Sequence, residues 1–506
     1  MTDRFGRRAV LAGLCATALA PGAFAFEAPL PRPRPGGRAS AVAPARQSLP
    51  RAPSGVSGWL AVDLDSGEVL DARNADMPMA PASVAKLPTA VYALERLGPA
   101  HRFATRLATR GRIEGDLLAG DLILAGGGDP ELDTDALLPL VLALKEKGVR
   151  RVAGRFVVDP GPAPEIAAID PEQPEDAAYN PALSWLNLNF NRVRVEWPAK
   201  AAASDIKVTA RALRLDPDVR GVRVVSAAGD APVLMHSFEG EIEVWRIADR
   251  ELVRKGGRWL PVRQPAAYAG EVFAALAATH GIALPAPVAG RSSPEAVMLA
   301  AQPSASLVAI LSGMLHHSTN LTAEIVGQAA SGMPGDPLGS AAAMNLWAAG
   351  FAGFPPGDAG FAFANHSGLT TRSRVAPARL VAFLRAAAKR PAPEGAEPGD
   401  ARLPGGVARL LRPHRIATEG DGLDHDHLTI AAKTGTMDLI RGLAGYIVTP
   451  GGRRLAFAMF SNDLDRRSGG VTRIDRAWMG RARGFEKALL RDWVLMADAG
   501  RVAQRG

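Results

Sequence analysis

The sequence predicts a multidomain α+β protein: an antiparallel sheet flanked by helices, interrupted by a strand-rich insertion. Three observations predict it. The chain of 506 residues is longer than one average domain, so two or three are expected. Its C-terminal part reads as a strand, a hairpin and an amphipathic helix. From Ala100 to about Gln264, helical patterning gives way to short strands and turns.

Taken in order, the first segment is a leader. Arg4, Arg7 and Arg8 precede an apolar run from Ala9 to Ala20, and Ala23-Phe24-Ala25 offers a small-residue cleavage site. That layout is a secretory signal, and Arg7-Arg8 also permits the twin-arginine route. Cys15, the single cysteine, lies inside it, so the mature chain is expected to hold no disulfide. Ala28 to Gly55 is rich in Pro, Arg, Ala and Ser and reads as an extended tether.

Order is expected from Trp59. Trp59–Leu64, the turn Asp65-Ser66-Gly67 and Glu68–Leu70 read as a hairpin. Pro81-Ala82-Ser83 opens a helix running through Val91, Leu94 and Leu97. Pro88 should bend that helix just past Lys86, or else make its first turn irregular. Beyond Ala100 the reading gives a tight loop at Gly126-Gly127-Gly128, a helix over 133–147, a strand over 155–159, an exposed loop over 160–176 and an alternating strand over 186–197. Helices follow from Ala266, through Leu307–Leu315 and Leu321–Ala330. Leu428–Lys433 is a strand, and Leu443–Thr449 with Leu455–Ser461 forms a hairpin across Pro450-Gly451-Gly452. A last helix with Phe485, Leu489, Trp493 and Met496 is expected to pack on the sheet rather than to anchor in a membrane.

Hydrophobic residues make up 47% of the chain, enough for sizeable cores. The net charge of +8 falls to about +6 without the leader, a surplus that reads first as a solvated arginine-rich surface and secondly as a preference for anionic envelope surfaces. No dense Lys/Arg block with interleaved aromatics supports nucleic-acid binding. His316-His317 and Asp424-His425-Asp426-His427 lack the spacing of a metal site and read as polar loops.

Three short elements carry chemistry: Ser83-Val-Ala-Lys86, Ser318-Thr319-Asn320 and Lys433-Thr434-Gly435. Serine is a weak nucleophile until a base removes its proton, and Lys86 shares a helical face with Ser83. A desolvated lysine near other cations accepts a proton more readily. Ser318 and Asn320 alternate in a turn before a helix, where a hydroxyl can relay a proton and an amide can hold a peptide carbonyl. Lys433 and the hydroxyl of Thr434 can hold a carboxylate, and Gly435 allows close backbone approach. The amides of Thr436 and Ser83 are candidates for an oxyanion hole.

This ordered set resembles the class C penicillin-binding proteins of the D-alanyl-D-alanine carboxypeptidase/endopeptidase family, the DacB-like type. Pro81–Leu87, Gly120–Leu132 and Lys433–Met437 with Leu443-Ala444-Gly445-Tyr446 resemble family segments, and the likeness spans about 55–495. It implies a serine β-lactamase/transpeptidase-like catalytic domain at 56–100 and 265–506, with accessory domains inserted over 101–264. A signal at 1–25 and a tether at 26–55 precede it. The resemblance further implies that Ser83 is acylated, Lys86 is the base and Ser318 relays the proton to the leaving D-alanine. Asn320 would bind the substrate amide, while Lys433, Thr434 and Thr436 meet its terminal carboxylate. Peptidoglycan stem peptides are the implied partners, β-lactams the implied inhibitors and the periplasm the implied site, with no cofactor or metal needed. A β-lactamase or esterase of the same fold, and a wall-binding scaffold without activity, are the alternatives. Asn365-His366-Ser367-Gly368-Leu369 departs from the family's usual D-G-S-G-L.

Overall fold

A computed structural model describes residues 50–228, 234–397, 399–416, 423–468 and 475–505. The expected leader at 1–25, with Cys15, and the tether up to residue 49 lie outside these. Five antiparallel strands form the main sheet in the order β3-β4-β5-β1-β2. They are β1 Val56–Asp63, β2 Val69–Arg73, β3 Thr429–Met437, β4 Ile440–Val448 and β5 Arg454–Asn462. The two hairpins read from the sequence are thus β1–β2 and β4–β5, joined in one sheet through the β1–β5 pairing.

This sheet is covered on both faces, so its central strands β4 and β5 are buried almost throughout instead of alternating buried and exposed. On β5, Ala456, Ala458 and Phe460 pack into a core with α1 Lys86–Leu97, α2 Leu307–His317 and α4 Pro377–Ala388, while α3 Asn320–Ser331 adds Ala323 and Val326. Leu455, Phe457 and Met459 face the other way, against Phe485, Leu489 and Trp493 of α5 Arg476–Arg505. The last helix therefore packs on the sheet, with Met496 only partly covered. Among the described residues no helix is long and apolar enough to cross a membrane.

Pro88 does not bend its helix. The chain makes a 3-10 turn over Ala82–Ala85 and then enters α1, placing Pro88 in the first helical turn, where an amide has no intrahelical acceptor. The first turn is the irregular part.

Between α1 and α2 a second five-stranded sheet is built from Pro287–Ala289, Phe156–Asp159, Leu122–Ala125, Ala104–Thr109 and Val297–Pro303, in that spatial order. The helices Thr134–Glu146 and Pro265–Thr279 bury Leu137, Leu140, Val272 and Phe273 in its core, and three three-stranded sheets complete the region. Helix Pro265–Thr279 and the two strands after it thus pair with or pack on the 104–159 strands, although they lie beyond the expected limit at 264. The expected strand over 186–197 is shorter, running Arg192–Trp197. Before it, Asn189, Phe190 and Asn191 take φ of 51°, 56° and 53°, which no strand allows. The side-chain carbonyl of Asn189 accepts the amide of Thr134, and that of Asn191 accepts the amide of Leu188.

Candidate active site

The three motifs converge from distant parts of the chain. Ser83 sits in the 3-10 turn, and Lys86, three residues on, is the first residue of α1 and fully buried. Its Nζ lies 3.0 Å from Ser83 Oγ, 2.7 Å from Asn320 Oδ1 and 2.7 Å from the carbonyl oxygen of Ser367. Burial holds the amine well below the usual lysine range. The charge of Lys433 lowers it further, and Glu324 acts in the opposite direction.

Ser318 ends α2 in the left-handed conformation, φ 59°, and Asn320 begins α3 two residues later. That sharp reversal presents both side chains to one cleft. Lys433 Nζ donates to Ser318 Oγ at 3.0 Å and to the carbonyl of Thr434 at 2.8 Å. Burial, then the nearby Arg441, bring Lys433 down to about 7.

Gly435 pairs with Gly442 on edge strand β3. A methyl group at residue 435 would lie 2.3 Å from the carbonyl oxygen of Pro81, so the bare backbone is what lets the Ser83 turn rest on the strand. Close approach at this glycine therefore involves the protein's own turn.

A cleft of about 820 Å³ opens over these groups, and Ser83, Ser318, Asn320, Thr434 and Thr436 line it. Lys86 and Lys433 lie behind its wall. The opposite wall belongs to the loop after Asp159 and includes Glu172, Asp176 and Tyr179. Asn320 Nδ2 donates to the carbonyl of Tyr179 at 2.9 Å, so the loop touches the motif residues directly.

One group beside Lys86 escaped the sequence reading. Glu324, fully buried on α3, accepts the amides of His366 and Ser367 at 3.3 and 2.8 Å. It thereby holds the loop whose Ser367 carbonyl receives the Lys86 amine. A lone acid one helical turn past Asn320, inside an apolar helix, was the available signal. His366, the visible departure in that loop, does not face the cleft. Its ring is buried, with Nε2 2.6 Å from Ser340 Oγ, while its carbonyl accepts Thr89 Oγ1 at 2.8 Å. The ring fits because residue 327 is glycine: a Cβ there would stand 2.2 Å from the imidazole.

A serine whose hydroxyl meets a buried, proton-poor amine, beside a second lysine at the end of an open cleft, defines a serine acyl-transfer hydrolase. The comparisons agree. The profile of the D-Ala-D-Ala carboxypeptidase 3 (S13) family matches residues 39–477. The chain belongs to that family, and it is a serine DD-peptidase. It is 28% identical over 452 residues to the D-alanyl-D-alanine carboxypeptidase of Actinomadura sp. (strain R39), covering 80% of this chain and 78% of that one. In fold it is similar to penicillin binding protein 4 (dacB) from Haemophilus influenzae, with a TM-score of 0.67 and 21% identity over 88% of this chain and 97% of that chain. The same Haemophilus protein complexed with a β-lactam matches with a TM-score of 0.65 and 21% identity, over the same shares of both chains.

Proposed function

We propose that Ser83 is the nucleophile of this DD-peptidase and Lys86 its general base, acting on peptidoglycan stem peptides that end in D-Ala-D-Ala. The observation that carries this reading is the threefold bonding of Lys86 Nζ. A neutral amine has two N–H donors and one lone pair. The donors are taken by Asn320 Oδ1 and the Ser367 carbonyl, so the lone pair faces the Ser83 hydroxyl. Burial supplies the neutral form.

As Ser83 Oγ attacks the carbonyl of the penultimate residue, its proton passes to Lys86. The amides of Ser83 and Thr436 receive the oxyanion. Collapse breaks the C–N bond; the departing D-alanine nitrogen takes a proton from Ser318, and the proton held on Lys86 replaces it, so both groups return to their starting forms. Because Lys433 donates to Ser318 Oγ, the hydrogen of that hydroxyl is free for the transfer. Water then attacks the ester and regenerates Ser83. Asn320 binds the substrate amide, Lys433, Thr434 and Thr436 take its terminal carboxylate, and Gly435 seats the Ser83 turn.

β-Lactams acylate Ser83 in this reading, supported by the β-lactam complex of the Haemophilus neighbour. The leader at 1–25 directs the enzyme to the periplasm, and the basic tether keeps it near the envelope. The insertion is one accessory unit from Ala104 to Pro303, and its 172–179 loop forms a wall of the cleft. The direct test is release of D-alanine from a stem pentapeptide. Wild type should release it and Ser83→Ala should not; release by the folded variant would overturn the assignment.

A further inference from the structure

Beside the carboxylate end of the cleft lies a buried cation that the three motifs do not include. Arg441 on β4 stands directly opposite Thr436 on β3, so their side chains leave the same face of the sheet. Its Nε lies 2.8 and 2.9 Å from the two carboxylate oxygens of Glu486 on α5, and both side chains are under a tenth exposed. Its Nη1 donates to Thr436 Oγ1 at 2.7 Å. Thr436 itself is exposed and lines the cleft.

We propose that Arg441, clamped by Glu486, is a positioning residue that makes Thr436 a donor to the substrate's terminal carboxylate. The argument is one of hydrogen-bond direction. A guanidinium only donates, so Thr436 Oγ1 accepts from it and must direct its own hydrogen elsewhere. The open side is the cleft, where the fitting acceptor is an anion. Donation from a cation also polarises the hydroxyl and strengthens the next bond in the chain. The clamp matters because an arginine held on both sides keeps its aim whether or not substrate is bound. The specificity that follows is for acyl donors ending in a free carboxylate over neutral ones.

This inference rests on the Ser83 acyl-transfer reading, and the test separates the two. Two thioester substrates with the same D-alanyl acyl group are compared, one with a leaving group ending in a carboxylate and one carrying its methyl ester. The variants are Thr436→Val, the double variant Arg441→Gln with Glu486→Gln, which strands no charge, and all three together. A hydrogen bond to a charged group is worth about 1.5–3 kcal/mol, so the acid-over-ester ratio of kcat/KM should fall about tenfold or more in Thr436→Val and in the double variant. The triple variant should show no further fall, because both changes remove one interaction. Thr436→Ser, which keeps the hydroxyl, should retain the ratio. Equal slowing of both substrates in the double variant, or losses that add in the triple, would overturn the positioning role. So would a wild type with no acid preference. If wild type turns over neither thioester, the acyl-transfer reading fails and this inference falls with it. Thr436 is exposed, so its variants remain informative even where the buried pair is needed for folding.

Discussion

At the scale of single residues, the site depends on cations kept short of protons. Replacing Lys86 by methionine removes the proposed base but also an expensive buried amine. Acylation by benzylpenicillin should slow by about 10²–10⁴-fold, the usual worth of a general base, with no drop in melting temperature. A rate within a few-fold of wild type would move the base elsewhere. Lys433 gives a pH signature. Burial, and after it the charge of Arg441, bring it down to about 7. It is charged below that value and neutral above it, so KM for carboxylate-ended peptides should rise as pH climbs through about 7, and much less for neutral esters. A flat acid-to-ester ratio from pH 6 to 9 would contradict this. His366 acts on stability instead. Burial brings it from 6.5 to about 3, so between these values the unfolded chain binds a proton that the folded chain does not. Its cost is absent above about pH 6.5 and grows by about 1.4 kcal/mol per unit as pH falls toward 3. Urea unfolding of His366→Asn should show a shallower acid slope than wild type; parallel slopes would sink the idea.

At the scale of elements, Glu324 of α3 ties the loop at His366 to Lys86. Gly327→Ala would drive a methyl into the imidazole and, as an overpacking change, should cost about 1–3 kcal/mol in urea unfolding. Combining it with His366→Gly, which returns to the usual family residue, should recover most of that loss. Additive costs would mean the two positions are not coupled. Much of this level was legible. Short apolar runs split by glycine-containing turns gave both hairpins, and a proline–serine opening gave the start of the Ser83 segment. Reading failed where tertiary contacts override local pattern. The alternating residues 186–190 looked like strand, yet the side-chain oxygens of Asn189 and Asn191 accept backbone N–H groups and turn the chain. The strands Pro287–Ala289 and Val297–Pro303 were missed because their partners lie more than a hundred residues earlier.

At the scale of the whole molecule, the sequence named the groups and the fold brought them together. That Ser83, Lys86, Ser318 and Lys433 would meet was readable because each lies in a short motif. Glu324, Arg441 and Glu486 were not, because nothing local distinguishes a buried charge from a surface one. The role of the insertion as a wall of the cleft was equally invisible, since it depends on the 172–179 loop crossing over to Asn320. The proposed leader at 1–25 makes one whole-chain prediction: the mature protein should begin at Phe26, and intact mass will show whether it does. The same measurement tests the central claim that Ser83, activated by Lys86, forms the acyl-enzyme. Intact mass should be followed over time after adding benzylpenicillin to wild type and to Ser83→Ala. The account predicts a persistent adduct of one penicillin on wild type and none on the folded variant. An adduct on Ser83→Ala, or none on wild type, would contradict it.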